Sequence, residues 1–280
     1  MRLRELAAAA ERRLVAAGIA AAEARLDAEL LLRDVLGWDR AAWLTRRDEA
    51  VPDGVESAFG ATVRRREARE PVAYIRGVQA FYGRDYAIGP GVLIPRPESE
   101  LIVEESLAAL AGRSAPHLLD IGTGSGCLAV TLALEIPDAT VTATDVSAEA
   151  LAVAGENARR FGVGARVSFA LVAGTGGGGP YDLIVSNPPY VPDGDRPGLQ
   201  PEVAHYEPAT ALFAGLDGLD VVRVMVPEVR TRLTPGGAFV MEIGIGQSEA
   251  ALAIAREAGF AHVGVRADFQ GIPRVVVARA

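Results

Sequence analysis

Lysine is absent: all 28 basic side chains in the 280 residues are arginine. That bias assigns no chemistry by itself. Cysteine occurs once, at Cys127, so an internal disulfide is impossible, which fits a reducing compartment. The three histidines, His117, His205 and His262, are scattered without metal-ligand spacing. No uninterrupted apolar run is long enough to span a bilayer, and Glu11, Arg12 and Arg13 interrupt the Ala-rich start before a secretory core forms. These absences lead to the expectation of a soluble, cytoplasmic chain that holds no metal.

What is present supports a folded core. Half the residues are apolar, 23% are charged and the mean hydropathy is +0.20, which excludes a disordered or low-complexity chain. A formal charge of −8 and a pI near 5.1 argue against broad binding to a phosphate backbone. The charge is unevenly placed. Residues 1–75 carry 13 Arg against 13 Asp or Glu, whereas the remainder carries 15 against 23. That split suggests two modules.

Apolar residues at helical spacing run through 3–17 (Leu3, Leu6, Ala10, Leu14) and 21–36, with Gly18 and Gly37 as stops, and a further helix fits 53–69. Residues 1–75 therefore read as a small all-helical domain with no catalytic signature. Trp38 and Trp43 read as its core, and the basic run Arg64–Arg66 with Arg69 as a solvated helix face. Residues 76–95 read as a hairpin join, with Gly83-Arg84-Asp85 between short apolar stretches. Over 96–280 strands and helices alternate, which predicts a mostly parallel sheet covered on both faces. Its last two strands, near 261–267 and 274–279, have too short a connection for a crossover helix and should be antiparallel.

Two segments carry chemistry. The first is Leu118-Leu119-Asp120-Ile121-Gly122-Thr123-Gly124-Ser125-Gly126, with alternate glycines directly after a strand and before a helix. Missing β-carbons let the backbone turn sharply and a ligand lie against main-chain N–H groups. No Gly-Lys-Ser/Thr follows, so it is not a phosphate loop, and Cys127 stands where a dinucleotide fingerprint needs glycine. Asp145 ends the next strand, placed to accept from both hydroxyls of a ribose. Glycines plus acid suggest a nucleoside ligand without pyrophosphate, and S-adenosylmethionine fits best.

The second is the strand 181–186 running into Asn187-Pro188-Pro189-Tyr190. Two prolines stiffen the loop and leave carbonyls that only accept. The Asn187 side-chain oxygen and the Pro188 carbonyl suit the two in-plane protons of an NH2 group, with Tyr190 on its flat face. Such a grip turns the nitrogen lone pair toward an incoming methyl carbon, a gain from positioning and electrostatics.

With these residues in hand, the chain resembles the class I S-adenosylmethionine-dependent methyltransferases, and more narrowly the family that methylates the Gly-Gly-Gln glutamine of bacterial peptide chain release factors (PrmC/HemK). The likeness also includes Pro71–Gly77, Ile94-Pro95-Arg96-Pro97-Glu98, Tyr206-Glu207-Pro208 and Asp217-Gly218-Leu219. It implies a seven-stranded, Rossmann-like α/β sheet with an N-terminal helical domain that docks a class I release factor. It implies contact of Gly122, Thr123, Gly124, Ser125, Gly126 and Asp145 with S-adenosylmethionine. Asn187, Pro188, Pro189 and Tyr190 would clamp the substrate amide, with Asn187, Pro188 and Tyr190 the catalytic set and Asn187 also near the methyl donor. One departure stands out. The family's acidic residue after the third strand is missing, and Val172 is the positional match, able to give the adenine only apolar contact. The glycines of 174–179 then read as a lengthened linker.

Cys127 reads as packed rather than reactive. Arg96 reads equally as substrate-facing or structural, and Glu207 as part of a lid over 191–217 or as an arginine's partner. Neither membrane association nor stable nucleic-acid binding is expected. An amino-group methyltransferase for adenine or guanine in RNA or DNA is the first rival, and an inactive cofactor-binding scaffold the second.

Overall fold

The computed structural model describes residues 1–280, which separate into two compact units: Met1–Gly77 with Gln200–Tyr206, and Val78–Leu199 with Glu207–Ala280. The hairpin expected as a join thus belongs to the second unit. A seven-residue piece of the later chain belongs to the first.

In the first unit the helical periodicity is realised as helices Leu3–Ala16, Ala21–Leu36, Arg40–Arg46 and Val55–Glu67. Gly37 ends the second in a left-handed conformation, and Asp39 caps the third by accepting from the Ala42 N–H at 2.7 Å. Leu3, Leu14, Leu32, Trp43, Phe59 and Val63 form its core, each buried apolar side chain worth roughly 1.5–3 kcal/mol. The basic run is not a solvated face throughout. Arg66 is only 1% exposed and donates to Asp27 at 2.7 Å, to Glu23 at 2.9 Å and to Glu202. Arg69 also donates to Glu202, at 2.7 Å. Burial is tolerable because three carboxylates surround the guanidinium and satisfy its donors. No sequence pattern told this arginine from Arg64 and Arg65, because Glu202 arrives from far along the chain.

The second unit opens with the hairpin β1 (Val78–Phe81) and β2 (Arg84–Ala87), turned by Tyr82 and Gly83 at positive φ. Its main sheet has seven strands: β3 (His117–Ile121), β4 (Thr140–Asp145), β5 (Val167–Leu171), β6 (Tyr181–Ser186), β7 (Leu233–Glu242), β8 (His262–Ala267) and β9 (Pro273–Arg279). Their order is β5-β4-β3-β6-β7-β9-β8, parallel through β7, with β9 antiparallel to β7 and β8. The predicted seven-stranded sheet with an antiparallel final pair is what forms. Central strands such as Leu118–Ile121 and Leu183–Ser186 are buried on both faces, so they read as apolar runs rather than alternating patterns.

Strand order reverses between β3 and β6. The chain leaves β3 toward β4 and β5, then returns to β6 on the other side. The C-terminal ends of β3, β4 and β6 therefore meet at a topological switch point, where open α/β sheets bind ligands. The register aligns Ile121 with Thr144 on one side and Ser186 on the other, so the glycine turn, Asp145 and Asn187 emerge together.

Candidate active site

A cavity of about 310 Å³ opens at that switch point. Gly122, Thr123, Gly124, Ser125, Asp145 and Val172 lie on its wall, as do Asn187, Pro188 and Pro189. Gly126 and Tyr190 are not among its lining residues.

Backbone geometry explains the glycines. Gly122 and Gly124 have φ of +71° and +56°, and a β-carbon on either would meet nothing within 4 Å. The turn thus presents bare main chain toward open space, a cradle into which a side chain would intrude. Gly126 serves another purpose. A β-carbon there would lie 2.9 Å from that of Ala154, so this glycine lets helix Cys127–Glu135 approach helix Ala148–Arg160. Gly126, expected beside the cofactor, thus has helix packing as the reason for its missing side chain.

Asp145 accepts from the Gly124 N–H at 2.9 Å through one oxygen and from the Ser147 N–H at 2.9 Å through the other. It ties the glycine turn to the end of β4 while each oxygen keeps a lone pair for a further donor. Asp120, fully buried, accepts from the Thr123 hydroxyl at 2.7 Å and the Ala129 N–H at 3.2 Å, bracing the turn from behind. Burial pushes its carboxyl up to about 7, against the pull of the Thr123 hydroxyl.

Segment 174–179 is a pinned turn rather than a loose linker. The buried Thr175 hydroxyl donates to Glu228, its N–H donates to the same carboxylate at 3.3 Å, and the Gly174 carbonyl accepts from Thr144 at 2.8 Å. Val172 and Gly174 line the cavity, so its third-strand wall is apolar and carries no acid.

On the facing segment, Asn187 donates from Nδ2 to the Ser99 hydroxyl oxygen at 2.9 Å, and its Oδ1 is buried without a partner. Ser99 in turn donates to Glu242, which ends β7, and the Tyr190 hydroxyl donates to the other oxygen of Glu242 at 3.1 Å. Burial raises the Glu242 carboxyl above the usual range, and the two hydroxyl donors oppose that rise. The Tyr190 hydroxyl is likewise pushed up by burial and by the adjacent carboxylate. Gln247 fixes the far end of the loop, donating to the carbonyls of Tyr190 and Asp217, both at 2.9 Å. Glu207 pairs with Arg96 and accepts from the Ile94 N–H at 3.1 Å, so it has the arginine partner that was one of its two readings. Burial drives the Cys127 thiol up to about 12, consistent with packing rather than reactivity.

The sequence reading missed Ser99, Glu242 and Gln247. A signal for Glu242 was present: an acid closing the apolar run Phe239-Val240-Met241, the same pattern that singled out Asp145.

The residues present fit S-adenosylmethionine: bare glycine backbone, an acid at the end of the next strand, an apolar third wall and no phosphate-binding lysine. Sheet order and cavity together define a class I S-adenosylmethionine-dependent methyltransferase. Residues 5–77 match the family model described as PrmC N-terminal domain, and residues 99–200 that described as methyltransferase small domain. A release factor glutamine methyltransferase of Geobacter sulfurreducens is 44% identical over 259 residues, covering 91% of this chain and 89% of that one. One of Bordetella pertussis is 46% identical over 256 residues, covering 90% and 93%. The chain belongs to the release factor glutamine methyltransferase family. A methyltransferase structure from Pyrococcus furiosus, 21% identical, superposes with a TM-score of 0.51 over 80% of this chain and 98% of that one, a likeness of fold alone.

Proposed function

We propose that this chain transfers a methyl group from S-adenosylmethionine to the side-chain amide nitrogen of the glutamine in the Gly-Gly-Gln motif of class I peptide chain release factors. The observation that carries the reading is the Asn187 Oδ1. It is a buried acceptor without a partner, on a residue that lines the same cavity as the glycine cradle. A buried acceptor left unpaired costs free energy until a donor arrives, and a primary amide supplies that donor.

Gly122, Thr123, Gly124, Ser125 and Asp145 are the residues to hold the cofactor, with Val172 against its base. When bound, S-adenosylmethionine supplies an electrophilic methyl carbon on a sulfonium. The chain's own contribution is orientation. Asn187 Oδ1 accepts one amide proton and the Pro188 carbonyl the other, which fixes the nitrogen and lets its lone pair develop along one direction. No base is required before attack, because the nitrogen loses a proton only after it becomes positive. The sequence assigns Tyr190 to the flat face of the amide. With its hydroxyl on Glu242 and its carbonyl on Gln247, the role that fits Tyr190 is to anchor the loop.

The helical unit is the candidate docking module for the release factor. Action in the cytoplasm follows from that substrate, and no helix is long and apolar enough to cross a membrane. Net charge argues against stable nucleic-acid binding. Incubation with a release factor and methyl-labelled cofactor tests the reading. Label on the Gly-Gly-Gln glutamine is the expected result. Label on RNA or DNA alone would transfer the chain to the nucleobase amino group, and cofactor binding with no transfer would leave a scaffold.

A further inference from the structure

We propose that Glu242, acting through Ser99, is the positioning residue that decides which end of the Asn187 carboxamide faces the methyl acceptor. The proposal rests on the reading that Asn187 Oδ1 receives the glutamine amide, and it explains how that orientation is enforced.

An asparagine side chain is nearly symmetric in shape but opposite in chemistry at its two ends: the oxygen only accepts and the nitrogen only donates. Turned over, Asn187 would point its NH2 at the substrate NH2, donor against donor, and the grip would fail. Local sterics do not choose between the two orientations. A hydrogen-bond chain of fixed polarity does. Each oxygen of Glu242 accepts from one hydroxyl, Oε2 from Ser99 and Oε1 from Tyr190, so both hydroxyls turn their protons to the carboxyl group. Ser99 then offers Asn187 only lone pairs, so the end that faces Ser99 is the NH2 group, at 2.9 Å. The Oδ1 is left without a partner.

The arrangement is sealed. Ser99 is 3% exposed and Glu242 2%, so water has little access to rescue a wrong polarity. Three separate stretches contribute: Ser99 from the turn after Ile94-Pro95-Arg96-Pro97-Glu98, Glu242 from the end of β7, and Asn187 from the end of β6. That gives the proline-bracketed segment a task beyond connection, which is delivery of Ser99 to the asparagine.

Glu242→Gln is the decisive substitution because it keeps the shape of the side chain and replaces one accepting oxygen by a donating NH2 group. Glutamine has one accepting and one donating end, so one of the two hydroxyls must accept instead of donate. Where that hydroxyl is Ser99, its proton turns to Asn187 and selects the inverted carboxamide. Ser99→Ala removes the selection altogether. With a release factor as substrate, each variant should lower kcat by about tenfold, the scale of one hydrogen bond, while KM and cofactor affinity move by less than about threefold. The readout that separates positioning from general structure is a double-mutant cycle. In the Asn187→Ala background, Glu242→Gln should change kcat by less than about twofold, because nothing remains to orient.

The proposal is overturned by unaltered kcat in both single variants, or by equal losses with and without Asn187. Should the variants not fold, the wild-type chain still decides through nitrogen-15 NMR of the Asn187 side chain. The NH2 protons, turned toward buried Ser99, should exchange with solvent at least about a hundredfold more slowly than those of an exposed asparagine, and unprotected exchange overturns the proposal. Failure of the parent reading looks different: wild-type protein would then leave the glutamine unmethylated whatever the NMR shows.

Discussion

Substitution of Gly218 by alanine should separate cofactor binding from turnover. Gly218 has φ of +74°, and a β-carbon built there lies 2.0 Å from the Tyr190 carbonyl oxygen and 2.6 Å from Gln247 Nε2. The backbone conformation alone costs an alanine about 1–2 kcal/mol. The contact is worse, since real β-carbons essentially never approach a heavy atom within 3.0 Å. The carbonyl, which ends the Asn187–Tyr190 loop, must therefore retreat by about 1 Å, a displacement of the size that reduces rates by about a hundredfold when it moves reacting groups. Gln247, which bonds both Tyr190 and Asp217, would be pushed from the same side. Gly218 does not line the cavity, and the glycine turn is held separately by Asp145. Labelled-methyl transfer to a release factor should thus fall by about two orders of magnitude, while calorimetric affinity for S-adenosylmethionine stays within about threefold. Turnover within twofold of wild type would show that loop placement does not set the rate. An equal loss of cofactor affinity would show that the loop and the cradle are one mechanical piece.

Other expectations follow from the same geometry. Asn187→Ala removes the unpartnered acceptor and should reduce kcat by about a hundredfold or more while most cofactor binding persists; near-normal transfer would contradict the amide grip. Asp120 holds its proton up to about pH 7 when folded and loses it near 3.8 when unfolded, so it binds more protons in the native state across that window. Its contribution to stability therefore declines as pH rises from about 4 to 7, by on the order of 4 kcal/mol. Thermal melts should show Asp120→Asn gaining on wild type over the same window, and a gap independent of pH would refute this. Arg66→Ala strands Asp27 in a buried setting and leaves Glu202 with Arg69 alone, and should cost about 3–5 kcal/mol in urea unfolding, whereas a loss below about 1 kcal/mol would mean that water relieves Asp27.

Much of this architecture could be read from local pattern. The run Thr140–Asp145 forms as a strand with the expected ends, and Ser147 caps the next helix by accepting from the Ala150 N–H at 3.1 Å. The glycine turn and Asn187–Tyr190 announced themselves because their chemistry is concentrated in a few consecutive residues. What escaped depends on distant partners. Arg66 differs from its neighbours through Asp27, Glu23 and Glu202, which lie 39, 43 and 136 positions away. Ser99 and Glu242 are 143 positions apart, and although Glu242 closes an apolar run, nothing local links it to Ser99. Gly126 looked like its two companions, yet only helix packing shows that its hydrogen faces Ala154. Segment 174–179 read as slack because glycine suggests freedom, and Glu228, which pins it, comes from helix Asp220–Arg232.

The seven residues Gln200–Tyr206 give the helical unit a discontinuous primary structure. No single cleavage of the polypeptide can release that unit whole. A fragment ending at Gly77 would lack the Tyr206 hydroxyl that donates to the Ala68 carbonyl at 2.6 Å, as well as the carboxylate shared by Arg66 and Arg69. Limited proteolysis should accordingly yield a first-unit fragment that melts well below the intact chain. Insertion or deletion within 200–206 would be felt in the helices that open the sequence, more than a hundred positions upstream.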